Sequence, residues 1–130
     1  MFMIDPMSRQ PIYEQIVGQM ERFILSGLLA PGDQLPSVRS LSVELSINPN
    51  TIQKAYSELD MRGIIYSVPG RGSFVSENAS ALLGEYKRAQ LNTLSQLTQE
   101  LAIAGIPIED VLQCVEAAYR QAKKERMDRP

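Results

Sequence analysis

The sequence predicts a mainly α protein with a small β-hairpin. Three observations carry that prediction. Apolar residues recur at three- and four-residue steps along most of the chain, the period of a helix with one buried face. One stretch, Ile64-Ile65-Tyr66-Ser67-Val68, is β-branched and aromatic instead, and Ser73-Phe74-Val75 answers it across Pro69-Gly70-Arg71-Gly72. No apolar run approaches the roughly 18–20 residues that a membrane span needs, so no membrane partner is expected.

At 130 residues the chain has room for one domain, or for a compact domain with a short appendage. Its 44% hydrophobic content is too high for a disordered chain. It holds no His and a single Cys, Cys114. Ser–His–Asp and Cys–His catalysis, His metal ligands, Cys-cluster zinc sites and an internal disulfide are thereby excluded. An enzyme would need paired carboxylates or an activated Lys, and no such cluster stands out. No metal and no cofactor are expected. The lone Cys, with no secretory signal in MFMIDPMSRQP, points to the cytoplasm.

The first helix is expected over residues 11–26, with Ile12, Ile16, Met20, Phe23 and Ile24 on one face. Pro11 suits its first turn, where the missing N–H would go unpaired anyway. Gly27 can close it in a left-handed conformation. Pro31-Gly32 matches a type II turn. Ser37 then caps a short second helix that carries Leu41 and Leu45 on one side. Asn48 is a good cap and Pro49 a good first-turn residue, so a third helix starts there and runs to about Arg62, before Gly63. Ile52, Ala55, Tyr56 and Leu59 form its apolar stripe. The hairpin follows. Alone it would be marginal, so it must lean on the helices.

Residues 76–80 are polar and small and read as a linker or a domain boundary. One long helix is expected over residues 81–104, its seam marked by Leu83, Tyr86, Leu94, Leu97, Leu101 and Ala104 and interrupted near Gln90. Gly105 ends it. An amphipathic helix is expected over residues 107–124, with Ile108, Val111, Leu112, Val115, Ala118, Tyr119 and Ala122 on one face. Cys114, beside that stripe, reads as a small buried or half-buried residue. Residues 126–130 read as a frayed charged end. Two domains result, residues 1–76 and a helical tail over residues 77–130.

A short helix, a tight break and a third helix with a polar outer face make a helix-turn-helix, and the hairpin makes it winged. The expected architecture is thus an N-terminal winged helix-turn-helix followed by a two-helix dimerisation tail. An α-helix fits the DNA major groove and reads base edges with its N-terminal residues. Asn48, Asn50, Thr51, Gln53 and Lys54 gather at that end of the third helix, at about 49–62. Amides pair at two points with adenine, and Lys reaches guanine or phosphate. Arg39, one turn into the second helix, is placed to clamp the backbone or a guanine. Arg71 sits between two glycines at the tip of a wing at 69–73, where it would meet the backbone or the minor groove. Ser37 and Asn48 would cap helices in any protein, and Lys54 also reads as a plain exposed charge.

Five blocks of the chain together resemble the GntR family of bacterial transcription regulators. They are Gln10-Pro11-Ile12-Tyr13, Pro31-Gly32-Asp33-Gln34-Leu35-Pro36-Ser37-Val38-Arg39, Asn48-Pro49-Asn50-Thr51, Ala55-Tyr56-Ser57-Glu58-Leu59 and Gly70-Arg71-Gly72-Ser73-Phe74-Val75. The resemblance covers roughly residues 9–76. Its specificity lies in five blocks occurring in order at the expected spacing. The short helical tail is similar to that of the YtrA-type subfamily, where it serves mainly for dimerisation. The resemblance implies a homodimer on a partly palindromic double-stranded DNA operator, repressing its own operon, often one for an ATP-driven transporter. It implies DNA contacts at Ser37, Arg39, Asn48, Asn50, Thr51, Gln53, Lys54, Arg71 and Gly72. Many relatives place an Arg in or just before the first turn of the reading helix. Here Pro49 stands there and Lys54 comes later, so no base preference carries over.

A helical pair this short cannot bury two apolar faces alone, so a second copy is the natural cover. Leu94, Leu97, Leu101, Val111, Leu112, Val115 and Tyr119 are the expected core or dimer seam. An unidentified small-molecule effector, lodged between tail helices or between subunits, stays open, with no residue to mark it. The charge stands against a nucleic-acid partner: −2 overall, with six Lys/Arg against seven Asp/Glu in residues 1–76. DNA binding then requires Arg39, Lys54 and Arg71 on one face and Glu14, Glu21 and Glu44 elsewhere, with Arg9 and Arg62 unassigned. The same acidic balance admits a protein–protein adaptor, because winged helices also serve as interaction modules.

Overall fold

The computed structural model describes residues 2–127, with side chains as far as Lys124. It divides into two compact units, Met1–Leu83 and Gly84–Pro130. The first holds α1 (Ile12–Leu25), α2 (Val38–Leu45), α3 (Pro49–Met61), β1 (Ile65–Val68) and β2 (Gly72–Val75), and α4 (Ala79–Ala89) begins there. Helix α3 is central: α1, α2 and β1 all pack on it.

The core is built from the periodic positions. Ile16, Met20 and Ile24 come from α1, Leu41 from α2, and Ile52, Ala55, Tyr56 and Leu59 from α3. Ile65 and Val75 enter from the hairpin and Ala79 and Leu83 from α4. Each fully buried Ile, Leu or Met contributes roughly 1.5–3 kcal/mol against leaving it in water.

The hairpin is antiparallel, pairing Ile65 with Val75, Tyr66 with Phe74, Ser67 with Ser73 and Val68 with Gly72. The Arg71 N–H donates to the Val68 carbonyl at 2.9 Å, which closes a turn with Pro69 and Gly70 at its centre. Gly70 has φ 77°, the left-handed value that a type II turn demands there. The hairpin does not stand alone. The segment after the Pro31-Gly32 turn runs along β2: Leu35 N–H donates to Ser73 O at 2.8 Å and Val75 N–H to Asp33 O at 2.9 Å.

Between α2 and α3 the chain reverses at Ser46, a non-glycine residue at φ 55°. The Ile47 N–H then reaches back to Ser42 O at 3.1 Å, the pattern usually completed by a left-handed glycine. An arm before α1 lies along that helix. The Gln19 side-chain amide exchanges two hydrogen bonds with the Met3 backbone, at 2.8 and 2.6 Å. Gln15 does the same with Asp5, at 2.9 and 3.0 Å. The two spacings match: four helical residues rise about 6 Å and two extended ones about 6.6 Å. Phe2 meets Phe23 edge to face at 5.2 Å.

Two expectations about the chain after the hairpin's last strand are corrected first. Residues 76–80 are not a free linker. Helix α4 starts at Ala79 and buries Ala79 and Leu83, four residues apart and so on one face, in the core. The single helix expected over 81–104 is two, α4 and α5 (Leu91–Ile103), broken at Gln90. There the Gln90 N–H bonds three residues back, to Lys87 O at 3.0 Å, and the tightened turn ends the helix.

In the second unit, α5 closes at Gly105, with the Ile106 N–H on Leu101 O at 3.0 Å, and α6 (Ile108–Met127) follows Pro107. Among its described side chains none is buried; Thr98, Leu101 and Val111 are half-buried. Cys114 is exposed, contrary to expectation, and no described side chain of α6 is buried. The charged end expected at 126–130 has its side chains outside the described residues.

Candidate nucleic-acid interface

The face in question starts at the N-terminus of α3. The Asn48 side-chain oxygen accepts the Asn50 N–H at 2.8 Å, so Asn48 is the cap and its NH2 group remains a donor. Pro49 occupies the first turn. Asn50 and Gln53 are exposed and Thr51 is half-buried. The Gln53 amide donates to Ser57 Oγ at 3.1 Å, one turn on, which steers its side chain along the helix and leaves its carbonyl as acceptor. Opposite this polar edge, Ile52, Ala55, Tyr56 and Leu59 are buried.

The start of α2 is tied to the same helix. Tyr56 is buried, and its hydroxyl donates to the Pro36 carbonyl at 2.7 Å. Burial pushes that phenol's pKa up from its ordinary 10.0. One residue on, Ser37 Oγ accepts the Ser40 N–H at 3.0 Å and caps α2. Arg39 follows in the first turn, exposed and without an ion-pair partner among the described residues. Arg71, at the hairpin tip, is exposed in the same way. Its backbone carbonyl accepts the Gln34 side-chain amide at 2.7 Å. Pro36 and Gln34 thus bring the α2 start, α3 and the wing tip to one short segment. Gly72 has φ 122°, where an L residue is strained.

Lys54 is placed differently. Its ammonium lies over the Tyr13 ring, 4.0 Å from the centroid, on the α1 side. Partial burial, then the Glu14 carboxylate that accepts the Tyr13 hydroxyl at 3.2 Å, raise the Tyr13 pKa above its ordinary 10.0. Arg62 is drawn inward. It bonds Glu21, which is 5% exposed, at 2.7 Å and Glu58 at 3.5 Å, and so locks the end of α3 to α1.

The carboxylates are the counterpart of this. Of the seven in residues 1–76, six have local partners: Asp5 with Met7 N–H, Glu14 with Tyr13, Glu21 and Glu58 with Arg62, Asp33 with Ala30 N–H, and Asp60 with the Ser67 hydroxyl. Hydrogen bonds do not erase a charge, but they fix where it sits. Arg39 and Arg71 are left to face solvent. Sequence reasoning missed Gln34 and the Tyr56 hydroxyl as parts of this site. Both act over long sequence separations that no local signal announces.

In the tail, Leu94, Leu97, Leu112, Val115 and Tyr119 are exposed, and Leu101 and Val111 half-buried. Leu91, Ile103, Ile106 and Ile108 are exposed beside them. Among the described residues no cluster of acidic or Cys side chains could hold a metal ion. No helix there is long and apolar enough to cross a membrane.

Comparison with known proteins agrees with this fold. The model of the family "Bacterial regulatory proteins, gntR family" matches residues 12–75. The HTH-type transcriptional repressor YtrA of Bacillus subtilis (strain 168) is 47% identical over 110 residues, covering 84% of this chain and 85% of that protein. A GntR family transcriptional regulator from Listeria monocytogenes superimposes with a TM-score of 0.69 at 36% identity, over 85% of this chain and 96% of that one. The AraR DNA-binding domain, solved in complex with operator ORX1, gives a TM-score of 0.52 at 30% identity, over 57% of this chain and 92% of that one. The chain therefore belongs to the GntR family, in its YtrA-type subfamily, and is a DNA-binding transcription regulator rather than an enzyme.

Proposed function

We propose that the chain acts in the cytoplasm as a homodimeric repressor of its own operon, a transporter operon by subfamily resemblance. It reads a partly palindromic operator with α3 in the major groove. Asn48, Asn50, Thr51 and Gln53 meet base edges or flanking phosphates there. Ser37 and Arg39 hold the backbone at the start of α2. Arg71 and Gly72 bring the wing to the backbone or minor groove. Lys54 contributes only by leaving Tyr13. One observation carries the reading: two arginines without an ion-pair partner among the described residues flank the polar edge of α3, while six of the seven carboxylates of residues 1–76, all but Glu44, are held by nearby partners.

The dimer is supported by the tail. None of its described side chains is buried, and the apolar ones recur along α5 and α6. A second copy covering Leu94, Leu97, Leu101, Val111, Leu112, Val115 and Tyr119 would remove that surface from water. Two reading helices must then sit about 34 Å apart, or a multiple of it. The proposal requires no effector.

The test is a titration against DNA from immediately upstream of the gene, with scrambled DNA as control, at several salt concentrations. We expect preference for the upstream DNA and a log–log salt slope of about −0.9 per neutralised phosphate. Equal, weak binding to both, with an empty genome-wide selection of bound fragments, would overturn the reading in favour of a protein partner.

A further inference from the structure

We infer that Gln34 is the positioning residue of the wing: its amide holds the Arg71 carbonyl and so aims the Arg71 side chain. The inference rests on the reading of Arg71 as a DNA contact.

Arg71 stands between Gly70 at φ 77° and Gly72 at φ 122°. These are the two most permissive neighbours a residue can have, so the tip has little local stiffness. The Arg71 N–H is fixed by the turn bond to Val68. What remains is the peptide plane after Arg71, and Gln34 Nε2 takes its carbonyl at 2.7 Å. Fixing that plane fixes ψ of Arg71, and with it the direction of the side chain from the sheet.

Gln34 is itself on firm ground. It bridges Phe74 across the sheet edge, and its neighbours Asp33 and Leu35 are both hydrogen-bonded to β2. Gly72 completes the fit. A Cβ there would lie 2.8 Å from Gln34 Nε2, so the missing side chain is the niche the amide occupies. The glycine therefore serves two ends, the turn and the room for Gln34. The next link is Pro36, which accepts the Tyr56 hydroxyl from α3. One short segment thus holds the wing tip and the reading helix in a common frame. A cation ordered before it meets phosphate loses less freedom on binding than one on a swinging tip.

The experiment is a double-mutant cycle on the full chain. The probe is a duplex recovered by wild-type selection from a random-sequence library. The variants are Gln34→Ala, Gln34→Met (the same length without a donor), Arg71→Ala and the doubles. Thermal unfolding of each variant monitors the fold. We expect Gln34→Ala and Gln34→Met to weaken binding roughly three- to tenfold. We expect the salt slope to fall as it does in Arg71→Ala, by about 0.9 for each phosphate released. In the Arg71→Ala background, removing the Gln34 amide should then cost nothing further. If Arg71→Ala weakens binding while both Gln34 variants keep wild-type affinity and slope, the role given to Gln34 is wrong and the wing reading stands. Losses that add in the doubles would also overturn it, because Gln34 would be acting through the fold. If Arg71→Ala itself changes neither affinity nor slope, the wing contact fails and takes the inference with it.

Discussion

At Tyr56 one side chain fills the core and also answers the Pro36 carbonyl, which precedes α2. Removing the hydroxyl leaves that carbonyl without its donor, so Tyr56→Phe should lower stability by about 1 kcal/mol in urea unfolding at neutral pH. The same bond sets an alkaline limit. The folded phenol has its pKa raised above the unfolded value of 10.0. Above pH 10 the unfolded chain therefore binds fewer protons than the native one, and stability falls as pH rises. Below pH 10 the contribution is constant. Melting curves from pH 8 to 11 should show a smaller alkaline loss in Tyr56→Phe than in the wild type; parallel losses would assign the titration elsewhere. At this scale the caps Ser37 and Asn48 were legible, because a capping residue acts on N–H groups two or three positions away. The partners of Gln34, Tyr56 and Arg62 were not. They lie 37, 20 and 41 residues away, and only the assembled fold brings them close. Lys54 was read half correctly: it is exposed, but the ring of Tyr13 decides where its charge rests.

Among the elements, α1, α2, α3 and the hairpin follow their sequence signals because each has a sharp stop. Gly27, Gly63 and the Pro69-Gly70 turn are such stops. The interruption of the apolar seam near Gln90 was legible, but not that it ends a helix, since neither Pro nor Gly marks it. The start of α4 was hidden for the opposite reason: its first turn is polar and small, and only Ala79 and Leu83 reveal which way it packs. Helix α4 also carries Gly84, the first residue of the second unit. A Cβ added there would meet nothing within 4 Å, and no positive φ requires glycine. Gly84→Ala should therefore stabilise α4 by about 0.5–1 kcal/mol. Hydrogen exchange of the α4 amides reads this directly. Unchanged protection would mean that α4 opens by a route that does not pass through residue 84.

For the whole molecule, the proposed dimer rests on the tail. If α5 and α6 join two copies, Leu97→Glu or Val115→Glu should dissociate the dimer and weaken operator binding together. Sedimentation alongside the DNA titration measures both. A variant that stays dimeric while losing DNA would remove those residues from the seam. Both the apolar pattern of the tail and its shortage of cover were legible in the sequence, since a helical pair this short cannot bury two apolar faces; which residues are exposed and which half-buried was not, because period alone does not say what a face meets. The charge pattern of the first unit reaches further, into how an operator is found. Beyond a Debye length of about 8 Å in physiological salt, DNA meets a body with no attractive net charge. On the proposed reading, Arg39 and Arg71 are felt only near contact. Arrival is then governed by collision and orientation, at the unsteered association rates of about 10⁵–10⁶ M⁻¹s⁻¹. Added salt acts chiefly on residence time, so occupancy of the promoter is set by how slowly the regulator leaves rather than by how fast it comes.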